Sequence, residues 1–150
     1  MVDVMKVRYL VHADHVDACE GKHYISGGGG SNMQVAPQGP GSSVLVVPRF
    51  GIALAIDVPY GATSEKHTIR VQIEDDDRQP VLPQPIEAPF ESGRPPGMRH
   101  NDWLTAKMAF NIQPLPFPKE GIYSIVVDID GTESERQYIS VQRAALMQMV

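Results

Sequence analysis

The sequence predicts an all-β chain: an antiparallel β-sandwich of immunoglobulin-like type, built from seven to nine short strands. Three observations carry that prediction. Glycine and proline, 13 of each, fall between short apolar runs rather than inside them, a punctuation that suits strands and breaks helices. Apolar and polar residues alternate with period two over residues 52–58, 68–74, 104–112 and 123–129, the pattern of strands with two unlike faces. Turn signals recur at a spacing of roughly 8–15 residues, as in sandwiches, with a small barrel as the alternative closure.

Taken in order, residues 5–11 are apolar and β-branched enough for a strand. Glu20-Gly21 is a turn signal, and residues 22–26 read as the return strand of a hairpin. Residues 27–31 form a flexible glycine loop. Residues 33–36 make a short strand stopped by Pro37 and the Pro40-Gly41 turn, and residues 44–47 make another that ends at Pro48. The two clearest strands follow, with Ile52, Leu54, Ile56 and Val58 on one face of the first and Ile69, Val71 and Ile73 on one face of the second. Between them lies the polar link 59–66. The acidic turn Asp75-Asp76-Asp77 leads to a short return strand at 80–82. Residues 86–90 read as an edge strand, because Pro85 and Pro89 cannot donate to a central ladder.

Residues 93–99 are an exposed loop, and 104–112 a long strand. Residues 115–119 are a proline-interrupted connection. Residues 123–129 run into Asp130-Gly131, a dipeptide favoured in two-residue hairpin turns. Residues 137–141 carry the last strand. The expected core is Ile52, Leu54, Ile56, Ile69, Val71, Ile73, Leu104, Met108, Phe110, Tyr123, Ile125, Val127 and Ile129, with Ile139 and Val141. The apolar tail 143–150 has length for one or two helical turns, too few to be stable alone. Deleting it should leave the fold intact, and its methionines suit packing on the sheet or on a second copy of the chain.

A chain of 150 residues can bury one real core and not two, so one domain is expected over residues 1–142, followed by the tail. A formal charge of −5 and a pI near 5.4 argue against a nucleic-acid surface. The single Cys19 excludes an intramolecular disulfide framework and a multi-cysteine zinc module, and fits a reducing cytoplasm. The first residues lack the pattern of a secretory leader, and no stretch is apolar enough to span a membrane. No cofactor motif is recognisable. Gly27 to Gly30 lacks the lysine and the following helix of a phosphate loop.

Two groups of residues could carry chemistry. His12, Asp14, His15 and His23, with Asp17 among them, lie within twelve residues of one another. Imidazole and carboxylate are good zinc ligands. A continuous strand cannot gather them, because His12 and Asp14 share one face while His15 and Asp17 share the other. The second group is Arg94, Arg99, His100 and Trp103, an aromatic with cations on a loop, which suits carbohydrate or peptide contact. The acidic sets Glu74 to Asp77 and Asp128, Asp130, Glu133 read as solvated hairpin tips rather than calcium loops. Cys19, with His15 and His23 four residues to either side, reads as an inert thiol, and Ser42-Ser43 lacks a nucleophile elbow.

Several segments resemble an uncharacterised bacterial family of small single-domain β-sandwich proteins. They are Lys6-Val7-Arg8-Tyr9-Leu10-Val11 with Ala13-Asp14-His15, Gly21 to Gly28, Ile69 to Asp75, Gly93-Arg94-Pro95-Pro96-Gly97, and Leu115-Pro116 through Tyr123 to Asp130-Gly131. The resemblance implies one sandwich domain with no assigned activity and supplies no catalytic residues. The tail after Val141 departs from it. The expected function is therefore a non-catalytic protein-binding or structural domain whose partner is another protein or a second copy. The alternatives are a carbohydrate-type module centred on Trp103 and a metal-binding protein using the histidine group.

Overall fold

The computed structural model describes residues 4–144. In chain order the strands are β1 (Lys6–Ala13), β2 (His15–Cys19), β3 (Lys22–Ser26), β4 (Asn32–Val35), β5 (Leu45–Val47), β6 (Phe50–Pro59), β7 (Lys66–Glu74), β8 (Ile86–Glu91), β9 (Trp103–Ile112), β10 (Leu115–Phe117), β11 (Gly121–Ile129) and β12 (Thr132–Arg143). A 3-10 turn, Tyr60–Ala62, follows β6. Two sheets dominate: β1-β6-β9, and β4-β12-β11-β7-β8. The strands β2-β3 and β10-β5 form two small pairs. Every strand pairing is antiparallel except that of β4, which lies parallel to β12 with Asn32 opposite Ser140.

Both large sheets contribute to one core. Ile52, Leu54, Ile56 and Val58 of β6 meet Ile69, Val71 and Ile73 of β7, Tyr123, Ile125 and Val127 of β11, and Ile139 and Val141 of β12. The residues that alternation assigned to the core are buried, apart from Leu104, Met108 and Phe110, which are half-buried. The reason is position: β9 is an outer strand of its sheet, so its inward side chains are covered from one side only.

The strand β6 is buried along its whole length, because it is covered on both faces. Its large even-numbered residues face the main core. Its small odd-numbered ones, Gly51 and Ala53, face a second cluster of Ala13 and Val16 under the β2-β3 hairpin. Small side chains on that side let the hairpin lie close. A Cβ at Gly51 would come within 3.0 Å of the Val16 nitrogen.

Both two-residue turns form as read. Glu20 and Gly21 have φ of 52° and 70°, and Asp130 and Gly131 have 51° and 85°, the paired positive values of a type I′ turn, whose twist matches the flanking strands.

Four features differ from the sequence reading. Among the described residues there are twelve strands rather than seven to nine. The return strand at residues 22–26 pairs with β2, not with the N-terminal strand. Residues 115–117 form a strand rather than a bare connection, because β5 supplies the partner edge. Residues 80–82 form only a bridge, between Pro80 and Glu74. Of the tail, Arg143 ends β12 and the Ala144 N–H donates to the Val35 carbonyl at 2.9 Å, while residues 145–150 lie outside the described residues. No helix among the described residues is long and apolar enough to cross a membrane.

Candidate functional site

The histidine group is dispersed. His12 faces the main core, stacked on Phe50 with centroids 5.5 Å apart, and is buried. Burial pushes its pKa down, partly offset by a bond to the Gly30 backbone. Its Nε2 is buried without a partner among the described residues. Asp14 sits outside, in the bend after β1. His15 is bonded to Asp17 at 3.1 Å near the surface. His23 reaches from β3 to β9, where its Nε2 bonds the Met108 carbonyl at 2.8 Å. A carbonyl only accepts, so Nε2 carries the proton, and in the neutral ring Nδ1 accepts from the Tyr9 hydroxyl. Pleating separates these side chains, and the β1-β2 bend does not reunite them. The only close set of possible ligand groups among the described residues is Asp75, Asp76 and Asp77, which is exposed or half-exposed and holds its own turn: Asp75 Oδ1 accepts the Asp77 and Gln79 N–H groups.

The second group is partly assembled, around a residue that alternation does not single out. Tyr60 follows β6 in the 3-10 turn. The Arg94 guanidinium lies 3.7 Å from its ring centroid, donates to the Tyr60 carbonyl at 3.1 Å and to the Thr63 hydroxyl at 2.8 Å. His100 stacks on the same ring at 4.4 Å. Trp103 pairs with Pro59, next to Tyr60, at the start of β9. It is 39% exposed, and the Lys6 ammonium lies 5.1 Å from its ring. Arg99 instead turns to Asp102, at 3.5 Å. This end of the molecule therefore carries an exposed Trp103 beside Lys6 and a half-buried Tyr60 whose ring packs against Arg94 and His100. Lys6 and Tyr60 escaped the sequence reading because they lie 97 and 43 residues from Trp103 in the chain.

The same turn is held from its other side. His67 is buried, with Nδ1 2.7 Å from Asp130 and Nε2 2.7 Å from the Ala62 carbonyl. Both partners are acceptors, so the geometry suits a doubly protonated ring. Burial opposes that charge, but the hydrogen bonds to Asp130 and Ala62 and the charge of Asp130 outweigh it and push the pKa up. Burial likewise opposes the Asp130 charge, and the bonds from His67 and the Thr68 N–H hold its carboxyl down. The pair borders a cleft of about 600 Å³ also lined by Lys6, Glu65 and Glu133. A sequence signal existed here: His67 shares the alternation parity of Ile69, Val71 and Ile73, so it had to face inward.

A second cleft, of about 480 Å³, opens between β4 and β5, with Asp14 and Arg49 among its lining.

Residues 8–142 match the sequence model of a family of unknown function. The chain belongs to that family, DUF6941. No curated protein and no solved structure matches it. The resemblance read from the N-terminal, central and C-terminal segments is to such an uncharacterised family. The match runs from within β1 to the penultimate residue of β12, so the DUF6941 region holds every candidate residue above except Lys6.

Proposed function

We propose that the chain is a non-catalytic, protein-binding β-sandwich of immunoglobulin-like type, and that its contact surface is the Tyr60–Trp103 end. The observation that carries this reading is the gathering of Tyr60, Trp103, Arg94 and Lys6 from three separate segments onto one surface. Tryptophan, tyrosine and arginine dominate the energetics of protein interfaces. Here the rings are already positioned by their cations, so little side-chain freedom is lost on binding. The sandwich type is supported by Tyr123, whose hydroxyl donates to the Lys119 carbonyl at 2.6 Å at the entry to β11, a bond of the kind made by the tyrosine corner of such sandwiches. Exposed Cys19 fits a reducing cytoplasm.

Placing a photo-crosslinking amino acid at position 103, and for comparison at Glu87 on the opposite sheet, tests the surface in cells. A discrete protein adduct, or a dimer of the chain itself, is expected from position 103 and not from 87. Equal adducts from both positions, or none, would remove the reading. The exposure of Trp103 supports a second reading, a carbohydrate module. Trp103 is the only tryptophan, so its fluorescence reports directly. A saturable shift on titration with neutral oligosaccharides would favour that module.

A further inference from the structure

We propose that the cleft between β4 and β5 is a peptide site that admits an extended segment of a partner protein as an additional strand. The site is separate from the Tyr60–Trp103 end and stands whether or not that end binds a protein.

Residues 36–46 form a hairpin whose rungs are visible. The Gln38 N–H donates to Val44 at 2.8 Å, and the Val46 N–H donates to Ala36 at 3.2 Å. The next rung would join Gln34 to residue 48. That residue is Pro48, which has no N–H to donate. The ladder stops there and the arms part. One arm, β4, goes to β12, and the other, β5, goes to β10. The opening between them is the 480 Å³ cleft.

Its walls carry strand edges with no strand partner among the described residues. At the two ends of β4, the carbonyls of Ser31, just before it, and of Val35 accept from Ser140 and Ala144, both at 2.9 Å. Backbone groups alternate in direction along a strand, so those of Gln34 and Ala36 turn the other way, toward the cleft. The Ala36 carbonyl, which accepts from Val46, shows that direction, and the Gln34 groups and the Ala36 N–H are left for a peptide. Val35 and Val47, both buried, supply an apolar lining. Asp14 and Arg49 add one charge of each sign, and neither side chain has an ion-pair or hydrogen-bond partner among the described residues.

An extended peptide matches all of these features. Its backbone pairs with the open edge, alternate side chains enter the apolar part, and polar side chains reach the charges. The segment that fits has apolar residues at alternate positions, an acidic group toward Arg49 and a basic group toward Asp14.

The test is selection of a random heptapeptide display library on the intact chain, followed by synthesis of the selected peptides and binding measurements. Arg49 and Asp14 are exposed, so Arg49→Ala and Asp14→Ala leave the fold intact, which a melting curve verifies. The expected result is peptides of alternating apolar pattern bearing an acidic residue, weakened about tenfold or more by Arg49→Ala, as for a lost charge-assisted bond, and unchanged by Trp103→Ala. The Gln34 and Ala36 amides should exchange more slowly in the complex. Three results would overturn the proposal: no peptide binding tighter than about 1 mM, binding indifferent to Arg49→Ala with no amide protection, or binding lost with Trp103→Ala alone. The last would place the peptide at the other end of the molecule.

Discussion

The side-chain amide of Asn111 pairs with both backbone groups of Val16. Its Nδ2 donates to the Val16 carbonyl at 2.8 Å, and its Oδ1 accepts the Val16 N–H at 3.0 Å. One carboxamide on β9 thus substitutes for a neighbouring strand and fastens the β2-β3 hairpin across the outer face of β1-β6-β9. Lys107 adds a bond from its ammonium to the Gly21 carbonyl at the hairpin turn, at 2.6 Å. Gln72 repeats the device on the other sheet, accepting the Leu82 N–H at 3.1 Å and donating to the Leu82 carbonyl at 3.4 Å.

Replacing Asn111 by Ala leaves the N–H and carbonyl of a wholly buried residue without partners. The expected loss is about 2–4 kcal/mol, from two orphaned groups at 1–3 kcal/mol each with partial rescue by water. Urea unfolding measures it. Gly51→Ala strikes the same spot from below, since its Cβ would lie 2.8 Å from Asn111 Oδ1 and 3.0 Å from the Val16 nitrogen. It should cost about 1–3 kcal/mol. The double variant should lose less than the sum, because both changes release the same hairpin. Additive losses would mean that Asn111 does not hold it.

His67 and Asp130 make stability depend on pH in a defined direction. The folded-state pKa of His67 is raised, so its contribution is complete below about pH 6.5, the unfolded value, and is lost as pH rises through the folded value. The carboxyl of Asp130 is held down, so its contribution is complete above about pH 3.9 and is lost as pH falls through the folded value. His67→Gln keeps a polar side chain without the charge. It should be less stable than the parent by about 1.5–3 kcal/mol at pH 5.5, as for lost bonds to a charged group, and the gap should narrow at pH 9. A gap independent of pH would show that the ring is neutral in the folded chain.

His12 works in the opposite sense. Its folded pKa is lowered, so its contribution is complete above about pH 6.5 and is lost as pH falls through the folded value. His12→Phe preserves the stack on Phe50 and removes the partnerless Nε2. The acid midpoint of unfolding, followed by circular dichroism, should move to lower pH. An unchanged midpoint would remove His12 from the account of acid stability.

Tyr123 is 1% exposed and its hydroxyl donates to Lys119. Tyr123→Phe keeps the ring contact with Phe117, whose centroid is 4.7 Å away, and deletes the bond. The expected loss is about 1–3 kcal/mol, for the bond and the carbonyl left unpaired, read as a lower urea midpoint. No shift would show that water replaces the hydroxyl fully.

Much of the fold was legible because burial imposes a period. A strand covered on one face must alternate apolar with polar residues, as most of β7 does, and β6, covered on both faces, alternates large with small ones. That period alone names their inward residues. The Glu20-Gly21 and Asp130-Gly131 turns were legible for a different reason: few residue pairs tolerate two positive φ values in succession. The strand β2 was hidden because its sequence is polar apart from Val16 and Ala18. It is extended because β3 pairs with it and because Asn111, 95 residues away, takes both backbone groups of Val16. The candidate sites were hidden in the same way. Arg94, His100 and Trp103 could be grouped by proximity in the chain, but Tyr60, the ring on which two of them rest, could not. The spacing of His12, Asp14, His15 and His23 suggested a cluster that pleating then pulled apart.

By itself, the sequence determined the strand-rich composition, the faces of the long strands, the edge position of β8 and the two tight turns. All of these follow from local sterics and from the two-residue period of a half-buried strand. Tertiary structure decided which edges meet, that β4 runs parallel to β12, that His67 finds Asp130, and that Pro48 leaves a cleft rather than a closed ladder. Those outcomes depend on partners brought together across tens of residues, and a backbone hydrogen bond carries no label in the sequence to say which distant group will complete it.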